Sequence, residues 1–249
     1  MRYYWKWSER RMVVAADFVI CDSAHIEEYI RKEYGKTKTA FIPYEANVTP
    51  STISDDAIQF RTWLKKLQTD PQEYYLVVGR AVPENNYETI IREFLQSKTD
   101  KKLIMIMNRN GKMAKDLDRK LHFRRDGRIR LCGPVYHREM LKKIREQAYA
   151  YIHGHEVGGT NPGLLEAMSS TKLNLLLDVG FNREVGGNAA LYWTKEEGVL
   201  SSLIGQADRI SSSERHEYGR MAVSRMQNAY SREQIADAYL SVWKNRLSE

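Results

Sequence analysis

The sequence predicts an α/β fold built on a doubly wound parallel sheet, and three observations carry that prediction. From Tyr74 onward, short aliphatic and β-branched runs alternate with stretches whose apolar residues recur every three or four positions. The short runs are almost continuously apolar, as expected of strands covered on both faces. Each is followed by a helical stretch, the order that parallel pairing requires.

In chain order the strand-like runs are YYLVVG (74–79), KLIMIM (102–107), RIRLCG (128–133), AYIHGH (150–155) and LNLLLDV (173–179). Between them lie NYETIIREFLQ (86–96), MAKDLDRKLHF (113–123), REMLKKIREQA (138–148) and PGLLEAMSS (162–170), each with helical spacing. Ligands of such sheets bind beyond the carboxyl ends of the strands, so chemistry is expected there. A short strand ALYWT (190–194) then leads into an all-helical tail ending in IADAYLSVWKNRL (235–247), whose apolar stripe must cover something. The first fifty residues repeat the same grammar on a smaller scale. DFVICD (17–22) reads as a strand, Ser23 as the N-cap of the helix HIEEYIRKEY, and KTAFIPY as the next strand. An amphipathic helix over 1–15, carrying Trp5 and Trp7, precedes them. Two strands do not make a stable sheet alone, so 1–47 is expected to be the remnant of a larger unit. VTPSTISDD (48–56) is polar and turn-rich, as a linker would be. The division that follows is 1–47, a main domain over 48–230, and a C-terminal helix over 231–249 that packs back toward the N-terminal part.

Composition excludes several classes. Of 249 residues, 42% are hydrophobic and 29% charged, with 15 Gly and 6 Pro, which rules out collagen-like, disordered and low-complexity chains. The 39 Lys+Arg against 32 Asp+Glu give a formal charge of +7, which suits an anionic partner or membrane surface, although most of these charges should form a solvated exterior. Cys21 and Cys132 lie in strand-like runs without metal-type neighbours and read as small buried residues of a reducing compartment. No apolar stretch is long enough to span a membrane, and the opening MRYYWKWSERR lacks the apolar core of a signal peptide. The expected localisation is cytoplasmic.

Gly79-Arg80 closes the first strand of the main domain. Glycine there permits close approach of a ligand, and arginine offers two parallel hydrogen bonds to a phosphate; an ordinary surface arginine is the alternative. The stretch HGHEVGGTNPGLLE (153–166) runs from a strand end through a glycine-rich loop into a helix, with Asn161 as N-cap and Pro162 at the first helical position. Its free amides and the helix dipole suit a diphosphate. Glu166, one turn into the helix between apolar neighbours that leave it little open surface, is placed to accept hydrogen bonds from sugar or ribose hydroxyls; a solvated helix carboxylate is the alternative. His153 and His155 share a strand face with Glu156 nearby, but a further zinc ligand at usual spacing is missing, so hydrogen bonding to a sugar or phosphate is preferred, with a merely structural histidine close behind. Asp116-Leu-Asp118 sits mid-helix between Lys115 and Arg119 and reads as a salt-bridged outer face. The basic cluster HFRRDGR (122–128) reads as a solvated loop, so no nucleic-acid partner is expected.

Taken together, VVGRAVPENNYETII (77–91), IRLCGPVY (129–136) and GGTNPGLLEAM (158–168) resemble the C-terminal, donor-binding domain of the family 4 GT-B glycosyltransferases. The wording GHEVGGTNPGLLEAM and LNLLLDVGFNREV is similar to the bacterial capsule-type rhamnosyltransferase subgroup, and ERRMVVAADFVICDSAHIEEYI with TAFIPY resembles the last β-α-β of that family's N-terminal domain. The resemblance implies a nucleotide-sugar donor such as a dTDP- or UDP-sugar, held without a metal and with no further cofactor. It implies that Arg80, Gly158, Gly159, Thr160, Asn161 and Gly163 bind the donor diphosphate. Gly133, Val135, Tyr136 and Glu166 would take the base and ribose, and His155 and Glu156 the donor sugar. The family's earlier glutamate falls on Gly158, and its lysine after the arginine is replaced by Glu84-Asn85-Asn86. The catalytic base is expected in the absent N-terminal half. The implied partners are a glycan or lipid-linked acceptor, a membrane surface touched peripherally, and either a second copy or a separate N-terminal half. A non-catalytic donor-binding module is the alternative to an active transferase, and an epimerase or phosphorylase of the same architecture ranks below both.

Overall fold

The computed structural model describes residues 2–247. Helix α1 (Arg2–Ala15) leads into β1 (Val19–Cys21), α2 (Ala24–Tyr34) and β2 (Thr39–Phe41). β1 and β2 pair in parallel, Val19 opposite Thr39, as a separate two-stranded sheet. Ser23 caps α2, its Oγ accepting from the His25 amide at 3.2 Å. A small core of Val13, Cys21 and Ile30 closes this unit. Val13 is buried, whereas Tyr3, Tyr4, Trp5, Trp7 and Met12 are exposed, so the helix is anchored at its C-terminal end and its aromatic surface faces solvent.

The main domain begins with α3 (Ile58–Leu67), then β3 (Tyr74–Val78), α4 (Tyr87–Gln96), β4 (Lys102–Ile106), α5 (Lys112–Leu121), β5 (Ile129–Cys132) and α6 (Arg138–Glu146). There follow β6 (Ala150–His153), α7 (Pro162–Ser170), β7 (Asn174–Leu177), α8 (Gly180–Gly186) and β8 (Leu191–Trp193). The six strands β3 to β8 form one all-parallel sheet in the order β5-β4-β3-β6-β7-β8. Both faces are covered, as the unbroken apolar runs require. Tyr75 and Val77 of β3 face a core shared with α4, α5 and α9 (Val199–Ala207), whereas Tyr74 and Leu76 face α3 and α6. Burying such side chains is worth about 1.5–3 kcal/mol each. A third cluster joins Leu164, Leu165 and Met168 of α7 to Val185 of α8 and to Ala222 and Met226 of α10 (Ser212–Ala229). The sequence reading did not draw α3 or α8. α3 buries Phe60, Leu64 and Leu67, and α8 is only seven residues long.

The polar connector over 48–56 has no regular structure, yet it is strapped to α6. Ser51 N and Thr52 N donate to Glu146 and Glu139 at 2.5 and 2.7 Å, and Lys142 and Lys143 reach Thr49 and Asp55, each at 3.0 Å. Helix α11 (Arg232–Leu247) leaves this region through an Arg232–Glu45 ion pair at 2.9 Å, and its Leu240 and Trp243 are exposed.

Candidate functional site

The strand order fixes where a ligand fits. From β3 the chain moves outward through β4 and β5, then crosses back to β6 on the other side of β3. Helix-capped loops therefore diverge at the carboxyl ends of β3 and β6 and leave a crevice. The loops after these two strands are knitted together. Asn86 Nδ2 donates to the Gly154 carbonyl at 2.8 Å, Glu156 N donates to the Glu84 carbonyl at 3.0 Å, and His155 Nδ1 lies 2.8 Å from Asn85 Oδ1. Asn85 Nδ2 in turn donates to the Arg80 carbonyl at 2.7 Å. Arg80 and the segment leading to Glu166 thus leave the same edge of the sheet on neighbouring strands.

A cavity of about 970 Å3 opens at this edge over β3, β4 and β5, at the upper end of the size range of small-molecule sites. Val78, Ile106, Met107 and Leu117 give it an apolar floor, and Pro134, Val135 and Tyr136 form one wall. Tyr136 stands at the mouth with 91% of its surface exposed. Gly133 precedes that wall and is half-buried. Arg80 lines the cavity with its side chain exposed and no ion pair to any described carboxylate. Lys112, which the sequence reading did not single out, lines it too and is likewise unpaired among the described residues.

The glycine loop is built by specific local requirements. Gly158 has φ +101°, a left-handed conformation that a side chain would strain. At Gly159 a Cβ would fall 2.1 Å from Asp22 Oδ1, so the loop lies directly against the end of β1. Asn161 caps α7, its Oδ1 accepting from Gly163 N at 2.9 Å and Leu164 N at 3.3 Å. Two readings of this loop need correction. The Gly163 amide is consumed by the cap and is not free for a phosphate. Thr160 is buried, its amide and hydroxyl both donating to the Asp22 carbonyl, because the loop must satisfy that strand end. The amides of Gly158, Gly159 and Asn161 are left without a described partner.

Glu166 also departs from expectation. Its apolar neighbours turn inward on the helix and leave the carboxylate 52% exposed, with Oε2 2.7 Å from Nη2 of Arg145. Glu156 is tied to Lys195 at 2.6 Å, and this cation helps hold its carboxyl below the usual range against the opposing effect of burial. His155 is half-buried against Phe181. His153 is buried, its Nε2 without a partner among the described residues, and burial pushes its pKa down to about 3, so it is a neutral interior group. Asp116 and Asp118 pair with Arg119 and Arg124, but Asp116 also lines the cavity, so this helix face is not wholly an outer one.

One constellation carried no sequence signal. Glu184 of α8 receives Ser23 Oγ at 3.1 Å and Ala24 N at 3.2 Å, and lies 3.1 Å from His25 Nδ1, so it caps α2 from the other unit. Burial, with Glu184 nearby, raises the Asp22 carboxyl. The glycine loop is therefore seated on the N-terminal unit.

No curated protein matches the chain. Residues 1–47 match the model of a domain of unknown function, DUF1972. Among solved structures, a glycosyltransferase from Rickettsia africae is 13% identical with a TM-score of 0.83, covering 96% of this chain and 67% of its own. Sucrose-phosphate synthase from Thermosynechococcus elongatus is 18% identical with a TM-score of 0.79, covering 96% and 61%. Anabaena HepE in complex with UDP is 14% identical with a TM-score of 0.75, covering 92% and 64%. This chain thus spans about two-thirds of the length of these proteins or somewhat less. Its fold is that of the Rossmann-like domains of GT-B proteins. Among the described residues no helix is long and apolar enough to cross a membrane.

Proposed function

We propose that this chain is the donor-binding part of a GT-B glycosyltransferase, holding a nucleotide-diphosphate sugar whose glycosyl group passes to an acceptor hydroxyl. One observation carries the reading: Arg80 and the wall at 134–136 line one cavity, and the glycine loop that leads to Glu166, although it does not line that cavity, leaves the same edge of the sheet on the neighbouring strand, its start bonded to the loop after Arg80. The structural neighbour HepE, solved with UDP, supports that class of ligand. In this reading the base lies against Val135 and Tyr136 in the cavity, with Gly133 behind them. Glu166 accepts from the ribose. The diphosphate lies between Arg80 and the amides of Gly158, Gly159 and Asn161, at the N-terminus of α7. The sugar lies toward His155 and Glu156.

Charge develops on the diphosphate as the glycosyl bond breaks. A guanidinium, free amides and a helix N-terminus aimed at that charge stabilise the departing group, without a metal being required for that step. The wording of the 153–186 region favours rhamnose, carried as dTDP-rhamnose, and a lipid-linked polysaccharide precursor at the cytoplasmic membrane face as acceptor. Calorimetry of the chain with dTDP and with UDP, in the presence of a chelator, tests the reading. Saturable heat with one of them is expected, and no heat with either from a folded sample overturns it.

The exposed aromatic surface of α1 favours a second reading, in which the chain binds donor but turns over only when a partner covers that surface. An activity assay on the chain alone separates the two, since robust transfer would require a base within these residues.

A further inference from the structure

The Arg145 side chain is buried in the last turn of α6, with 4% of the residue exposed. Its Nη2 lies 2.7 Å from Oε2 of Glu166, and its Nε is buried without a partner among the described residues. Burying a guanidinium costs several kcal/mol, and a carboxylate that is itself half-exposed recovers only part of that. An apolar side chain of similar volume would hold α6 against α7 at least as well. The position is also tightly framed, because Thr171 Oγ1 at the end of α7 donates to the Arg145 carbonyl at 3.0 Å. The main chain of Arg145 is therefore tied to the helix that carries Glu166, and its head meets that helix through the Glu166 contact. Glu166 Oε1 has no described partner, and the side chain is 52% exposed.

From this geometry, and resting on the donor-site reading above, we infer that Arg145 is a positioning residue for nucleoside recognition. It grips one oxygen of Glu166 from beneath and presents the other to the ribose hydroxyls. A glutamate on an open helix face samples several rotamers, and fixing one only when ligand arrives weakens binding. With Oε2 already held, that ordering is done in advance. The ligand class selected is a nucleotide with hydroxyls on its sugar ring, discriminated from one that lacks them.

The test compares, by calorimetry on the full chain, whichever of UDP and dTDP binds with its analogue lacking the ring hydroxyls. The wild-type chain is expected to prefer the hydroxyl-bearing nucleotide by about tenfold or more, the scale of a hydrogen bond to a charged group. In Arg145→Met the preference collapses to below about threefold, while affinity for the analogue stays at the wild-type value. Equal weakening of both ligands would show a merely structural role and overturn the inference, as would a preference that survives intact. Should Arg145→Met fail to fold, Glu166→Asp at its exposed position is read by the same ratio. The shorter side chain cannot reach Arg145 and the ribose together, and an undiminished preference there is equally fatal. A wild-type chain that binds the nucleotide without discriminating defeats this inference alone. One that binds neither nucleotide defeats the donor-site reading itself.

Discussion

Replacing Arg80 by alanine should weaken diphosphate binding while leaving the fold untouched, and the structure sets both halves of that expectation. The guanidinium is exposed, lines the cavity and pairs with no described carboxylate, so its removal breaks no native contact of the side chain. Only the Arg80 carbonyl is used, accepting from Asn85 Nδ2 at 2.7 Å, and alanine keeps it. A melting temperature within about 1 °C of wild type is expected, the behaviour of a surface substitution. A charge-assisted hydrogen bond in a partly solvated site is worth about 1–3 kcal/mol, which corresponds to about a 5- to 150-fold loss of affinity for UDP or dTDP. The assay is calorimetry of wild type and Arg80→Ala with the diphosphate and with the matching nucleoside, at low and moderate salt. Nucleoside affinity should not change, because the proposed function puts the base and ribose along Val135, Tyr136 and Glu166, away from Arg80. The gap between the two proteins should narrow as salt screens the phosphate contact. Equal diphosphate affinity in both proteins, or an equal loss for nucleoside and diphosphate, would refute the placement of the phosphates beside Arg80.

Three further outcomes follow from the loop and its support. Gly158→Ala forces a side chain at φ +101° and should cost about 1–3 kcal/mol. That is a fall of some 2–12 °C in melting temperature at about 2–4 °C per kcal/mol, and an unchanged melt would refute the strain argument. Thr160→Val removes the hydroxyl that donates to the Asp22 carbonyl, which should cost about 1–3 kcal/mol and speed proteolysis within 16–47; equal cleavage rates would show that the loop does not seat the N-terminal unit. Asp22→Asn should stabilise the protein near neutral pH by less than about 1 kcal/mol, since the carboxylate is only partly buried. Its pKa is raised in the fold, so any stability it contributes is present below its unfolded value of 3.8 and lost as pH rises through the folded value. The advantage of asparagine should therefore vanish in melts below that range, and an advantage constant across pH would count against burial as the cause.

Much of the main domain was legible because its information is local. A run such as YYLVVG followed by NYETIIREFLQ states its own periodicity, and β3 and α4 form within it. Asn161 and Pro162 marked the start of α7, since capping depends on neighbours two or three residues away. Two parts of the cradle were misread for the same reason in reverse. Counting amides along GGTNPG shows donors but not acceptors, and the acceptor for Thr160 is Asp22, 138 positions away. Glu166 was read as hemmed in because Leu164, Leu165 and Met168 flank it in sequence, whereas on the helix those three turn inward to α8 and α10.

By itself the sequence determined the α/β class, the alternation of strands and helices from β3 to β7, though not α3 or α8, and the glycine loop with its capped helix, because each depends on spacing within a few residues. Tertiary structure alone decided that Arg145 lies beneath Glu166, that Glu184 caps a helix begun 161 positions earlier at Ser23, and that the loops after β3 and β6 meet. Charges and carbonyls have no periodic signature. Their partners are chosen by which helices pack side by side, and that choice belongs to the folded chain as a whole.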